Sequence, residues 1–289
     1  MIGVILAIFS AIFIAIAQVS LRKSHKDLQP SVAFLFDAIF GLIIWVPLAL
    51  IMGVNFGFSL LEASIFAVIS AILSEALFFY ALSHGEIAIT ATVLSTYSAY
   101  TVLFSWMLNG ETLSPGLMFF VIIAICGSAY ATLPDKINWS EIKIRKEFVW
   151  PFIAALGIGL SDTISKGYIN RSGDYSFLFM LGFIQIPVAL VYLRLEKESF
   201  KHAINGTIKK ISNYKYSLLG GFFNIVGTGL LWLSFSFAPA SIASPITGSN
   251  GAITVLLSYF ALKTRVSWKK YVAIIITFIS IIGIAILRS

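Results

Sequence analysis

The sequence has 289 residues, 58% of them hydrophobic and only 11% charged, with a net charge of +7 and a mean hydropathy of +0.93. A soluble domain of this size is about half apolar and about a quarter charged, so the composition excludes an ordinary soluble enzyme or binding module. One cysteine, Cys126, excludes a disulfide framework, and His25, His84 and His202 are scattered, so neither a metal site nor a cofactor is expected.

A helix that crosses about 30 Å of hydrocarbon needs about 20 mostly apolar residues. By that rule ten stretches qualify: 2–21, 31–52, 61–82, 86–108, 116–133, 149–169, 175–193, 216–237, 241–262 and 270–287. The first is too long for a signal-peptide core and has neither a basic flank before it nor a small-residue cleavage site after it, so it reads as a span. All ten are expected to be helices, because an unclosed strand leaves backbone groups unsatisfied in lipid. Ser83–Glu86 and Ala238–Ser241 are short enough to make spans three and four, and eight and nine, antiparallel hairpins. The polar stretches 134–148 and 194–215 read as the hinge between halves and a sizeable loop.

One apolar stretch is written twice. Ala99-Tyr-Thr-Val-Leu-Phe-Ser-Trp106 in span four matches Ala252-Ile-Thr-Val-Leu-Leu-Ser-Tyr259 in span nine, five positions of eight at an offset of 153, and the offset still holds from Ser114 to Ser267. A repeat at fixed offset governs the fold. Since each half holds an odd number of spans, the second copy enters the membrane inverted, as in secondary transporters with midplane sites. The fold expected is therefore an all-α integral membrane protein. Its ten transmembrane helices form two inverted five-helix repeats, 1–133 and 149–289, around a central cavity.

Charge sets the orientation. Seventeen of the twenty Lys and Arg fall in the face made by 22–30, 134–148, 194–215 and 262–270. The positive-inside rule makes that face cytoplasmic and both termini extracytoplasmic, in an inner or plasma membrane. The excess of positive charge is accounted for by the bilayer rather than by nucleic acid.

The stretch Phe79-Tyr-Ala-Leu-Ser-His-Gly-Glu-Ile-Ala88, then a polar span, then Asn109-Gly-Glu-Thr-Leu-Ser-Pro115, resembles the EamA-type members of the drug/metabolite transporter superfamily. The second copy departs from the pattern: Lys263-Thr-Arg-Val-Ser-Trp268 lacks the Gly, Glu and Pro. The resemblance implies a transporter rather than an enzyme. It also implies a cavity lined by spans one, three, four, six, eight and nine, and alternating access. Relatives in that family usually keep their termini in the cytoplasm, so the charge count and the resemblance disagree on orientation.

At 100° per residue, Thr247, Asn250, Gly251, Thr254 and Ser258 share one side of span nine, and Leu94, Tyr97, Ser98, Thr101 and Ser105 are their counterparts. Hydroxyl and small residues also serve helix packing; the large polar Tyr97 and Asn250 are read as substrate contacts. Ionisable residues inside spans cost about 2.5–3.5 kcal/mol and point to function. They are Asp37, Glu75, Asp162 and Lys166. Asp162 and Lys166, four apart, either pair with each other or meet substrate.

Glu75 and Asp37 each lie about 9 Å from the cytoplasmic edge at 1.5 Å per residue. If they face each other they share a proton or hold a cation, which makes both proton-coupling candidates. Asn224, Thr228 and Trp232 form a stripe on span eight, and Phe78 and Phe79 flank Glu75. Aromatic faces with carboxylates suit cationic or zwitterionic organic solutes. The function expected is secondary transport of a small metabolite such as an amino acid or amine, most simply export coupled to protons. A membrane-embedded enzyme and a non-transporting assembly protein are the alternatives. The first needs a metal or phosphate constellation, and the second needs no matched polar stripes.

Overall fold

The computed structural model describes residues 1–24, 29–84, 87–133, 146–198, 200, 211–262 and 266–288. Every regular element among them is helical: α1 (Ile2–Ser24), α2 (Pro30–Met52), α3 (Phe58–Ser70), a π-helical segment (Ala71–Ala76) and α4 (Leu77–His84) open the chain. Then come α5 (Ile87–Ser95), α6 (Tyr97–Asn109), α7 (Pro115–Thr132), α8 (Lys146–Ser172) and α9 (Asp174–Leu195). The chain closes with α10 (Ile211–Phe235), α11 (Ala240–Gly248), α12 (Asn250–Leu262) and α13 (Trp268–Arg288). Gly85, Glu86 and most of the basic residues at 134–145, 201–210 and 263–265 lie outside the described residues.

Local chemistry places the ends. Pro30 and Pro115 open α2 and α7, where a missing N–H costs nothing, and the Ser114 hydroxyl accepts from Leu117 N at 3.4 Å. Gly110 closes α6 with φ +64, and the Glu111 N–H donates back to the Ser105 carbonyl at 3.1 Å. That is the left-handed turn glycine adopts without strain.

Seven stretches are long and apolar enough to cross a membrane: Ile2–Leu21, Pro30–Met52, Ser59–Ala81, Pro115–Thr132, Asp174–Leu195, Lys215–Phe235 and Trp268–Leu287. The rest of the expected spans fall short for physical reasons. α8 carries Lys146, Glu147, Asp162, Lys166 and Arg171. Spans four and nine are each interrupted by one residue, Thr96 and Ser249, which stand 153 apart, the offset of the sequence repeat. At each break a hydroxyl turns back on its own helix, Thr96 to the Val93 carbonyl at 2.7 Å and Ser249 to the Ile246 carbonyl at 2.6 Å. Side chains that compete for backbone carbonyls weaken a helix at that point.

The helices pack closely through small residues. Along α1 and α10, Gly3 lies against Ala238, Ser10 donates to the Gly227 carbonyl at 2.6 Å, and Gly220 lies against Leu21, so the two run antiparallel. α2 and α9 are likewise antiparallel, with Gly41 against Gln185 and Asn55 N–H donating to Ser176. So are α7 and α13, with Gly116 against Leu287 and Gly127 against Thr277. α8 is antiparallel to α3, through Ser70–Ser165 at 2.9 Å, and parallel to α6, through Ser105–Thr163 at 3.3 Å. α1 runs parallel to α11–α12. Two ends of the bundle follow, called here the Met1 end and the Ser24 end.

The surface is apolar. Ile51 is 82% exposed, Leu195 76% and Phe260 70%, and in hydrocarbon such side chains meet their own kind. Inside, Trp232 stacks edge-on against Trp45 and Phe177, with ring centroids 5.4 and 5.3 Å apart.

Candidate substrate cavity

α1, the π segment, α4, α5, α6, α8, α10 and α12 enclose a cleft with about 1020 Å³ of atom-free space, counted out to solvent. These elements correspond to spans one, three, four, six, eight and nine. One wall carries Ser74 and Glu75 of the π segment, Phe78 of α4, and Ile158 and Asp162 of α8. Facing it, α1 and α12 present Gln18, Asn250 and Gly251, while Tyr97 of α6 and Asn224 and Thr228 of α10 complete the polar lining. Leu21, near the last turn of α1, and Phe78, in the first turn of α4, line the part that reaches toward the Ser24 end.

Asp162 and Asp37 are held by neutral donors. The Asp162 carboxylate accepts from the Ser244 hydroxyl at 2.6 Å and from Thr101 at 3.3 Å, both on the same oxygen. Ser244 also offers its carbonyl to the Tyr97 hydroxyl at 3.4 Å. The Asn224 amide donates to Asp37 at 3.0 Å and lines the cleft together with Glu75. Asp37 itself lies outside the lining, fully buried behind Asn224, and its second oxygen has no hydrogen-bond partner among the described residues. Three helices thus bring Asp37, Asn224 and Glu75 together, although nearly two hundred residues separate the first two.

A π turn often marks a functional position in a span. Here it contributes two consecutive residues, Ser74 and Glu75, to one wall. The opposite wall is an amide network. Gln18 donates to the Asn250 side-chain carbonyl at 3.1 Å, accepts from Thr254 at 3.0 Å, and Asn250 donates to the Thr247 backbone carbonyl at 2.8 Å.

The structure therefore brings Glu75, Phe78, Tyr97, Asp162, Asn224, Thr228 and Asn250 to one cleft. Thr101 and Thr254 sit just behind it, bonded to Asp162 and Gln18. Thr247 donates to the Ala7 carbonyl at 3.2 Å, and Phe79 packs on Phe34 with centroids 5.7 Å apart, so neither reaches the cleft wall. Trp232 does not reach it either. Eight residues after Asn224 the helix has turned about 80° past alignment, which aims Trp232 at Trp45; Leu231, one residue earlier, lines the cleft instead. Gln18 is a lining residue that the sequence reading passed over. Its signal was a lone amide in an otherwise apolar first span.

Polar contacts join the helices at the Met1 end. Glu111 accepts from the backbone N–H of Ala240 at 3.1 Å and of Ser241 at 2.8 Å, the first turn of α11. Lys166 donates to the Phe235 carbonyl at the last turn of α10, and Ser236 donates to Asp174 at 2.8 Å. Arg171 and Glu62 form an ion pair at 2.8 Å.

An apolar-surfaced bundle of helices around a buried polar cleft is the plan of a multi-pass membrane transporter. The profile of the EamA-like transporter family matches residues 1–133 and 145–286, and the chain belongs to that family, within the drug/metabolite transporter superfamily. The family carries small molecules across membranes. A solved crystal structure shares the fold at a TM-score of 0.74 and 14% identity, over 99% of this chain and 96% of that one. No curated protein matches.

Proposed function

We propose that this protein exports a small cationic or zwitterionic metabolite, an amine or amino acid, across the inner or plasma membrane by alternating access, in exchange for protons. The observation that carries the reading is the pair of carboxylates, Glu75 and Asp162, 3% and 1% exposed, in a cleft whose remaining lining is amide, hydroxyl, aromatic and aliphatic. A buried carboxylate is costly unless a proton or cation compensates it, so the cleft suits a positive solute. Glu75, with Asp37 held behind the cleft by the Asn224 amide, is the proton-coupling group.

The architecture proposed with this function is ten spans in two inverted repeats, 1–133 and 149–289. Two observations support it. The interruptions at Thr96 and Ser249 fall at matched positions. Every packed pair described above is parallel or antiparallel as strict alternation of ten crossings requires. With seventeen of twenty Lys and Arg on one face, the Ser24 end is cytoplasmic and the termini are outside. The cleft then reaches toward the cytoplasm.

The test is proton flux in liposomes containing purified protein. A pH gradient drives solute movement in the unaltered protein, and Glu75→Gln, expressed at the same level, loses that drive. Pumping by Glu75→Gln that still follows the pH gradient removes Glu75 from the coupling mechanism.

A further inference from the structure

The geometry points to a substrate with two positive charges, an α,ω-diamine, bridging Glu75 and Asp162. This rests on the cleft being the substrate site, as proposed above. The two carboxylates stand on neighbouring elements of one wall but at different depths. Ser70 bonds Ser165 at 2.9 Å, and the Leu73 carbonyl faces Gly157, so Asp162 lies level with residue 71 or so. Glu75 is then about four residues nearer the Ser24 end, or about 6 Å at 1.5 Å per residue. A chain of roughly four carbons spans that interval: its five bonds from nitrogen to nitrogen each advance about 1.2 Å along the extended zigzag, about 6 Å in all.

Beside Glu75 the wall is apolar. Ile158, one helical turn nearer the Ser24 end than Asp162 on the same face of α8, lines the cleft at the level of Glu75, packed with Leu94 of α5. A methylene chain matches such a wall, and its two ammoniums match the acids at its ends. A single ammonium compensates one of these two buried carboxylates and leaves the other to a proton, whereas a dication meets both.

A zwitterion fits less well. No Lys, Arg or His is among the described residues that line the cleft. At the helix breaks the Thr96 N–H donates to the Val93 carbonyl at 3.1 Å and the Ser249 N–H to the Pro245 carbonyl at 3.2 Å, so neither of these two donors is left for a carboxylate. The facing amides of Gln18 and Asn250 are engaged with each other. Lys166, a turn beyond Asp162, sends its ammonium to the Phe235 carbonyl.

The experiment uses Ser95→Cys, a cleft-lining position, in a Cys126→Ser background, with a membrane-permeant thiol reagent. Protection from labelling is titrated with 1,4-diaminobutane, butylamine and 4-aminobutyrate. The expected result is protection by the diamine at a concentration at least 10-fold below that of butylamine, with 4-aminobutyrate weakest. Asp162→Asn or Glu75→Gln then brings the diamine to the level of butylamine. Equal protection by diamine and monoamine, or best protection by 4-aminobutyrate, overturns the dication inference and leaves the cleft as the substrate site. If Ser95→Cys takes no label at all, the cleft is not reached from solution and both readings fall. The comparison of the three solutes needs no acidic variant, so a variant that does not fold leaves the test standing.

Discussion

Glu111 does for α11 what its own N-cap residue cannot. Pro239 precedes the helix and offers no side-chain acceptor, so the first N–H groups of α11 rely on a carboxylate from the other half of the sequence. Ala240 and Ser241 are 0% and 1% exposed, and water does not replace a lost partner there. Replacing Glu111 with Ala leaves two buried donors unmade. Hydrogen bonds to charged groups contribute about 1.5–3 kcal/mol each when shielded. Because Glu111 is itself half-exposed, about 1 kcal/mol each is the appropriate discount. The sum, about 2 kcal/mol, opens the first turn of α11 about 30-fold more often, at about 1.4 kcal/mol per tenfold. Amide hydrogen exchange reads this directly: residues 240 and 241 exchange about 30-fold faster in Glu111→Ala, while α7 and α13 keep their rates. Unchanged exchange at 240 and 241, or an equal acceleration along the whole chain, refutes the capping argument.

Two further outcomes are expected. Gly227→Ala lowers the melting temperature of the purified protein, because the added Cβ lies 2.6 Å from an Ile14 side-chain carbon and 3.0 Å from its backbone nitrogen. Overpacking of this kind costs about 1–3 kcal/mol. Gly57→Ala is the control, since the nearest atom to its added Cβ is 4.0 Å away; similar losses in both variants would discount the packing account. A tag at either terminus is expected to be labelled by an impermeant reagent added outside intact cells, and tags that react only after lysis would reverse the orientation.

Helix positions were legible because lipid demands long apolar runs, and the α-helical bounds fall within a few residues of the hydropathy reading. What lay hidden was anything set by rotation or by a partner distant in sequence. Asn224 and Thr228 are four apart and share the cleft; extending the same stripe to Trp232 lets the mismatch of 3.6 residues per turn accumulate until the side chain faces another helix. Glu75 announced itself by charge, but no local pattern encodes the π turn that presents it beside Ser74. Gln18 carries no charge and sits in no repeat, so only its contact with Asn250 and Thr254 reveals it. Glu111 was visible as part of a motif, whereas its partners on α11 lie nearly 130 residues away.

The breaks at Thr96 and Ser249 and the charges of α8 also bear on how the protein is made. The elements that carry Tyr97, Asp162 and Asn250 are those that fall short of the length and apolarity with which a helix partitions into a bilayer unaided. They must enter the membrane in company. α11 is tied to α10 by the turn at 236–239, and α8 is sheathed by α3 and α6 through hydroxyl contacts to its Ser165 and Thr163. Biogenesis and the transport proposed above therefore draw on the same polar side chains, and a cleft substitution is read as functional only after its insertion has been measured.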